Sequence, residues 1–514
     1  MGQQSYSKKR QEAKPKSAML IGWVAKIGEL RKIALGRTLI VLLVAAGMGL
    51  GRATTAMAQL RAASPCDSIL IKHIVLNGNR KTKNYIIYRE MDFKAGDVIA
   101  LADSNLYFAK SRNRIFNTRL FVTVDLTLVP LSFDTSICPK PVLVEVEVKE
   151  RWYLFPTPIL ELADRSFNEW IYNQGASFRR VNFGLRTDLY NVRGRNETAR
   201  LTLQGGFTTK LELKYSIPYI DKALKGGLQI GLLHANNRSA PLSSEGNKQS
   251  FLGLFTKERS FYRNAINLAY TRRSGFYMFQ GISAAYHQNR IADSLAIYRP
   301  DYFLNGRKKQ RFVSLAYTWL YDKRDIRQYP LHGYWLRATV ERLGLLPGDD
   351  VDLTALTGGA AHYADYGAGF YSAHSVEGTI SGPKRQPYAQ TKFLGFGQNF
   401  VRGYEKYVLE GHGNVVLKNT LRYRLVEGRA QMRAMPLNQF KVLPYAIYFK
   451  IYGDAGYVDN PYATEANSRL LNKWLGGVGA GFDIVTFYDY VLRLEYSVNR
   501  QREAGFFLNV AAEI

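Results

Sequence analysis

Short stretches of alternating apolar and polar residues recur along the chain from Trp152 onward, separated by clusters of Gly, Asn and Asp. In one of them, Leu492, Leu494 and Tyr496 share a face, and the residues between them are polar or charged. Alternation with a period of two predicts β-strands that have one apolar and one polar face. The clearest stretches are 198–205, 210–217, 228–234, 265–272, 313–320, 334–340 and 491–498.

The number of these stretches predicts a large β-barrel. We count about twelve strand candidates before Gly395 and about five after it, which is one more than the even number expected of a barrel with about 16 strands. We therefore expect Phe251–Phe255 to be a loop or an extension of a neighbouring strand. No window after residue 58 has about 18 apolar residues in a row. A membrane-spanning form of this part of the chain would therefore need a closed barrel. A soluble sandwich shows the same alternation but rarely so many strands.

The residues before Trp152 have the pattern of a small α+β domain. The second of its two helices is expected to turn Leu106, Ala109 and Ile115 toward the core, and residues 93–98 between the helices are predicted to be a loop. The predicted order is strand, helix, helix, strand, strand: 68–76, 83–91, 101–115, 121–129 and 141–150.

The first 58 residues predict an export signal. A basic segment is followed by the apolar stretch Thr38–Gly49, which has the length of a signal-peptide core and is too short for a spanning helix. Ala56 and Ala58 then form an A-x-A peptidase site. An N-terminal membrane anchor is the alternative.

Composition agrees with a membrane barrel. The chain has 34 Tyr and 27 Phe, and transmembrane barrels carry aromatic girdles at both interfaces. Its formal net charge is +28. The basic residues are dispersed among aromatic and aliphatic ones, without a basic helix or an RNA-binding motif, so lipid headgroups and a polar lumen explain this charge better than nucleic acid does.

Cysteine and histidine usage argue against an enzyme. Cys66 and Cys138 are the two cysteines, which exclude a Cys₄ zinc site and an iron–sulfur cluster held by cysteines of this chain alone. They flank the small domain's first strand and its last connection, and a disulfide between them is predicted, with two free thiols as the alternative. The seven histidines have no ligand spacing, and no H-E-x-x-H, P-loop or G-x-S-x-G motif occurs. We expect no catalytic residue, metal or cofactor.

The small domain resembles a POTRA domain, the periplasmic module that precedes barrels of the BamA/TamA-like superfamily, whose barrel is called a bacterial surface antigen. The resemblance rests on four segments: Ile74–Asn79, Asn113–Asn117, Leu120–Val124 and Val144–Val148. After the predicted signal peptide at 1–58, it implies a POTRA-like domain at 67–150 and an all-β transmembrane barrel of about 16 antiparallel strands at 151–514. An edge strand of the module could pair with an incoming extended chain, and a scaffold that only orients the barrel is the alternative.

The segment Val401-Arg402-Gly403-Tyr404 resembles the V-R-G-[FY] signature of the same superfamily. In that family it lies on an extracellular loop that folds back into the barrel. Residues 452–456 resemble the D-x-G strand, which implies Asp454 as the carboxylate partner of Arg402, and strand parity places Asp454 on the polar face. Two unrelated lumen charges are the alternative. Lys418–Arg422 has no glutamate where the family often has one, so no second carboxylate for Arg402 is identified.

A turn with special residues also resembles the family. Its residues match the D-x-R-D…P…G pattern of a periplasmic turn: Asp322, Arg324, Asp325, Pro330 and Gly333. The segments 191–195 and 215–219 resemble its early turns, and 477–482 and 494–496 its penultimate strands.

The resemblance implies a bacterial outer-membrane protein that inserts or translocates proteins. Its partners would be outer-membrane lipids, unfolded or partly folded protein substrates, and periplasmic or lipoprotein accessory subunits, and nucleic acid is not expected. The barrel would open at a seam between Trp152–Leu162 and Phe506–Ile514. A passive or ligand-gated transport barrel is the alternative, and a barrel that only anchors a binding module is a third.

Overall fold

The computed structural model describes most of the chain after residue 66. Residues 1–58, with Ala56 and Ala58, lie outside the described part, and so does Cys66 of the predicted disulfide. The described residues are 67–134, 136–163, 170, 175–221, 223–251, 259–395, 399–432, 442–465, 469–486 and 491–510.

The small domain contains a four-stranded sheet in the order β2-β1-β4-β3, in which β1 and β4 run parallel. Alternate valines of β4, such as Val144 and Val146, are fully buried and share a core with Phe108 and Ile115 of α2. Its elements are β1 (Ser68–Asn77), α1 (Asn84–Tyr88), β2 (Val98–Ala100), α2 (Leu101–Asn117), β3 (Phe121–Pro130) and β4 (Lys140–Glu150).

Two details of this domain differ from the sequence prediction. The predicted β-α-α-β-β order lacked β2, whose three residues pair with the start of β1 and are too few to show an alternation. In α2, Leu106 and Ala109 are exposed and only Ile115 is buried as expected. The buried stripe instead contains Ser104, Phe108, Ser111 and Ile115, which recur at the helical spacing of three and four residues.

The remaining elements, with one short helix, are β5 (Leu154–Leu162), β6 (Val181–Tyr190), β7 (Thr198–Gly206), β8 (Thr208–Ile217), β9 (Gly226–Asn237), β10 (Pro241–Glu245), β11 (Lys248–Phe251), β12 (Phe261–Ser274), β13 (Met278–Ile291), α3 (Asp293–Tyr298), β14 (Lys309–Asp322), β15 (Gly333–Leu343), β16 (Leu353–Gly367), β17 (Phe370–Gly382), β18 (Lys392–Leu394), β19 (Leu409–Glu410), β20 (Gly413–Gln431), β21 (Val442–Asp459), β22 (Leu475–Thr486), β23 (Val491–Asn499) and β24 (Ala504–Val510). Strands β5–β9, β12–β17 and β20–β24 form one 16-stranded antiparallel sheet in sequence order, which confirms the predicted barrel and its strand number. The surplus candidate begins at Phe251, which ends β11 in a separate hairpin, and its other residues lie outside the described part.

The barrel wall has the predicted two faces. In β21, Phe449 and Ile451 are exposed, whereas Tyr448, Lys450 and Tyr452 are buried. The sheet curls around the second set. One contact across the interior shows this: Tyr329, between β14 and β15, donates a hydrogen bond of 2.9 Å to Asp483 on β22. The exposed apolar face therefore meets lipid and the polar face lines a lumen. None of the described helices is long and apolar enough to cross a membrane.

The small domain packs against the turns at one end of the barrel. Its fully shielded Glu90 receives two hydrogen bonds, of 2.5 and 2.8 Å, from the guanidinium of Arg273 on β12. The Arg89 guanidinium lies 4.1 Å from the centre of the Tyr219 ring, and Asn117 donates a hydrogen bond of 3.0 Å to the carbonyl of Asp325. Tyr219 belongs to the apolar core of the small domain. These contacts fix which end of the barrel the domain occupies.

Replacing Arg273 with Met should loosen this attachment. Glu90 would stay buried with one remaining cation, Arg89, at 3.2 Å, and breaking a buried pair typically costs about 3 kcal/mol or more. We expect faster hydrogen exchange of the α1 amides in Arg273→Met. Arg272→Met, a change at the exposed neighbouring position, is the control and should exchange like the native chain. Equal exchange in both variants would show that the pair does not hold the domain.

Candidate functional site

The residues between β18 and β19 fold into the barrel and bring Arg402 to its wall. Val401 and Tyr404 are almost fully buried, and Arg402 is 7% exposed. Gly403 has a φ of +92°, a conformation that glycine adopts without a steric penalty. Asn499 on β23 donates a hydrogen bond of 3.0 Å to the Gly403 carbonyl. The segment therefore turns sharply where it meets the wall.

The structure brings together Arg402 and Asp454, the pair that the sequence predicted. The guanidinium Nε and Nη2 donate to the two carboxylate oxygens over 2.7 and 2.6 Å, a two-bond arrangement that only arginine can make. The same guanidinium donates to the Thr420 hydroxyl over 3.0 Å and lies 3.9 Å from the centre of the Tyr452 ring. The buried cation thus has hydrogen-bond acceptors along its edge and an aromatic ring against one face.

A second carboxylate reaches Arg402 from the predicted strand 491–498, which the sequence did not connect with this arginine. Glu495 on β23 has an oxygen 3.7 Å from Nη1, and the same oxygen is 2.8 Å from the ammonium of Lys450. Lys450 is 2.5 Å from Asp483 on β22. Alternation along β21 and β23 puts Lys450 and Glu495 on polar faces, but their contact depends on the register of β21, β22 and β23. We call Arg402, Lys450, Asp454, Asp483 and Glu495 the lumen cluster.

Small residues in the wall let the loop backbone come close. A Cβ atom at Gly477 would overlap the carbonyl oxygen of Arg402, and one at Gly456 would overlap the Val401 side chain. The glycine-rich segment 477–481 is therefore part of the barrel wall, and one of its glycines accommodates the loop.

The turn between β14 and β15 meets the lumen cluster from the end that carries the small domain. Besides the Tyr329 hydroxyl bound to Asp483, Arg422 on β20 donates a hydrogen bond of 3.1 Å to the carbonyl of Pro330. The Arg422 guanidinium lies 4.5 Å from the centre of the Tyr329 ring. Two segments from opposite ends of the barrel thus contact the same wall.

The predicted turn residues stabilise that segment. Arg324 donates two hydrogen bonds, of 2.8 and 2.9 Å, to Asp322. Asp325 accepts the Leu331 amide over 3.2 Å, and burial raises the pKa of Asp325. A Cβ at Gly333, whose φ is +104°, would overlap the Lys323 carbonyl oxygen. The structure therefore places all five predicted residues in or beside one turn.

The loop is also tied to the last hairpin of the sheet. Tyr404 donates to Gln501 over 2.5 Å, and Tyr407 donates to Glu503 over 2.7 Å. Both acceptors lie between β23 and β24. The Val408 amide donates to the Asn247 carbonyl in the β10–β11 hairpin over 2.8 Å. No signal in the sequence predicted these contacts, since they join separate loops.

One loop carboxyl is held in an unfavourable environment. Glu405 accepts the Gly403 amide over 2.8 Å, but its other oxygen is buried without a hydrogen bond. Burial raises the pKa of Glu405 to about 7. Among the described residues, no three His, Cys, Asp or Glu side chains are close enough to hold a metal ion.

Replacing Arg402 with Ala should destabilise the barrel by about 3 to 5 kcal/mol, because Asp454 would remain buried without its main partner. The expected result is a clearly lower melting temperature of the purified protein in detergent. The matched control is Arg307→Ala, which removes an arginine 2.5 Å from Asp350 whose side chain is 47% exposed. Exposed pairs contribute at most about 1 kcal/mol. Equal melting temperatures of the two variants would contradict a structural role for the buried pair.

The stability of the loop should fall as pH rises through neutrality. The pKa of Glu405, about 7 in the folded chain, is above its ordinary value of 4.5, so the folded state binds this proton more tightly than the unfolded state. Stability is therefore complete below about pH 4.5 and decreases up to about pH 7. Glu405→Gln keeps the acceptor for the Gly403 amide and should gain up to about 3 kcal/mol over the native chain at pH 8 and nothing at pH 4. A stability difference between Glu405→Gln and the native chain that is the same at pH 4 and pH 8 would exclude the effect.

Comparisons with known proteins identify the family. The model described as "Omp85 superfamily domain" matches residues 191–489, which is more than half of the chain. The chain is similar in fold to CdiB from Escherichia coli, with 11% identity over 86% of this chain and 76% of that one and a TM-score of 0.52. BamA from Haemophilus ducreyi lacking POTRA domains 1-3 matches with 13% identity over 86% and 84% and a TM-score of 0.48. No curated protein matches the chain. With the family match covering the loop, the turn and most of the barrel, the chain belongs to the Omp85 superfamily.

Proposed function

We propose that this protein inserts proteins into the bacterial outer membrane or moves them across it, using the seam between its first and last barrel strands. In this proposal the small domain lies in the periplasm and receives unfolded or partly folded proteins. The barrel, held by outer-membrane lipids, then inserts or exports them. Periplasmic or lipoprotein subunits are proposed as accessory partners.

The ends of the 16-stranded sheet are the observation that carries the proposal. Strands β5 and β24 each pair with a single neighbour, and no ladder joins them among residues 154–162 and 504–510. The residues after Val510, which belonged to the predicted seam, lie outside the described part. A seam without a continuous ladder needs less energy to open than any other strand pair in the wall.

The sequence of β5 explains why pairing at this edge is weak. Pro156 and Pro158 lack backbone N–H groups, and residues two apart in a strand direct these groups to the same side. Proline in a sheet is confined to positions whose missing donor faces away from the paired neighbour. Because β5 pairs with β6 along its whole length, both missing donors face the seam. At the seam edge of β5, an incoming strand or β24 therefore has fewer backbone N–H donors with which to pair.

The other side of the seam is firmly held. The hairpin between β23 and β24 binds Tyr404 and Tyr407 of the loop, and β23 carries Glu495 of the lumen cluster. A fixed C-terminal side and a weakly paired N-terminal side favour opening by movement of β5. The loop and the 323–332 turn both cross the lumen, which favours this route over a passive transport channel.

The small domain offers free strand edges to a substrate. In its sheet order, β2 and β3 are the outer strands. Val98 of β2 is 57% exposed, and Val129 of β3 is 39% exposed. An extended chain could pair with either edge through its backbone without a sequence requirement.

Locking the seam with a disulfide should block the function. Cysteines are introduced in pairs at exposed positions of β5 and β24, beginning with Leu160→Cys and Phe506→Cys, in a chain with Cys66 and Cys138 replaced by Ser. Oxidised cells should lose outer-membrane proteins in quantitative proteomics, and a reductant should restore them. The control pair Leu160→Cys and Phe183→Cys joins directly opposite residues of β5 and β6 and should have no effect. A locked seam with an unchanged outer-membrane proteome would refute lateral opening.

A further inference from the structure

A cavity of about 960 Å³ lies between α2 of the small domain and the barrel turns. One side is formed by Leu106 and Lys110 of α2, and the other by residues of the turns between β8 and β9, β12 and β13, and β14 and β15. We call it the rim cavity. It is separate from the lumen cluster, none of whose residues line it.

The lining of the rim cavity is strongly basic. It includes eight Lys or Arg residues but only three Asp or Glu residues. These carboxylates already have partners: Glu90 binds Arg273, Asp322 binds Arg324, and Asp325 accepts a backbone amide. The carboxylates therefore leave much of the positive charge in the cavity uncompensated.

Three lysines carry this uncompensated charge. Lys110 belongs to α2, Lys225 precedes β9, and Lys323 follows β14, so three separate segments bring an ammonium group to one cavity. All three are exposed. In the described part of the chain, none of their side chains forms an ion pair or hydrogen bond. Their ammonium groups are therefore available to water or to a bound anion.

The lining also contains apolar and aromatic residues, some of which lie near the membrane boundary. Leu106, which the sequence placed in the core, is 54% exposed and faces the cavity. Tyr277 and Tyr334 also line it. Both rings contact Tyr321, with centroid distances of 6.3 and 5.7 Å. Tyr334 shares the outward face of β15 with the exposed Leu336 and lies near the end of the strand, where barrel tyrosines mark the level of lipid headgroups.

We propose that the rim cavity binds the anionic phosphate headgroup of a lipid from the adjoining leaflet. The three lysine ammonium groups attract the phosphate, and Leu106 and the tyrosine rings contact the apolar part next to it. Lysine binds phosphate as a compact charge without a fixed geometry, which suits a mobile headgroup. The lipid bridges α2 and the barrel turns, and so strengthens the attachment of the small domain. Binding does not depend on the proposed insertion activity and is tested on the purified protein.

The test compares lipids by native mass spectrometry of the full chain in a neutral detergent. Phosphatidylglycerol should bind and raise the melting temperature, and zwitterionic phosphatidylcholine should bind clearly less well. Replacing Lys110, Lys225 and Lys323 together with Ala should weaken phosphatidylglycerol binding about a hundredfold, and each single change about fivefold. Because these side chains have no partners in the described structure, the lipid-free melting temperature should stay unchanged.

The matched control removes the same charge elsewhere on the small domain. Lys72, Lys94 and Lys140 are exposed and do not line the cavity, and their triple Ala variant should bind phosphatidylglycerol normally. Equal losses in both triple variants would overturn the proposal by showing a nonspecific charge effect. If inorganic phosphate raised the melting temperature as much as the lipid does, the cavity would be a site for free anions and not for a lipid. Stronger binding of a polyglutamate peptide would assign it to an acidic polypeptide.

Discussion

A buried guanidinium is the constraint on which the barrel interior depends. Arg402 stays charged at any ordinary pH, and a charge removed from water needs counter-charges and hydrogen-bond acceptors around it. The wall supplies Asp454, Glu495 and the Thr420 hydroxyl. Every strand that provides one of these groups must hold its register, so one loop residue fixes the relative positions of β20, β21 and β23. Gly477 is part of the same constraint, because a side chain at this position would overlap the backbone of the loop at Arg402.

The sequence predicts which face of a strand each residue of this site occupies, but not which residues meet across the strands. Alternation placed Asp454 on the lumen face of β21, and the V-R-G-Y segment identified Arg402, so their contact could be expected before the fold was known. The same alternation puts Glu495 and Lys450 on polar faces. Their meeting depends on how far β22 and β23 slide along β21, and a period of two carries no information about such a shift.

The helix α2 shows a different limit of sequence analysis. Its apolar residues suggested one buried stripe, yet Leu106 lies outside it, and the buried stripe includes two serines. A helix that packs on both a sheet and a neighbouring cavity presents apolar residues on two sides, and hydrophobic spacing alone cannot assign them. The misplaced leucine is therefore informative, since it marks a surface that the small domain does not cover by itself.

The polar contacts are distributed unequally on the two sides of the seam. The lumen cluster and the tyrosine hydrogen bonds involve β20–β23 and the last hairpin, whereas β5 contributes two prolines and no residue of the cluster. Hydrogen-bonded buried charges resist displacement, because moving one partner leaves the other without compensation. Among the described residues, none of β5 takes part in a buried ion pair of this kind. In the proposed lateral opening, the Arg402 contacts would hold the C-terminal side of the seam in place while β5 moves.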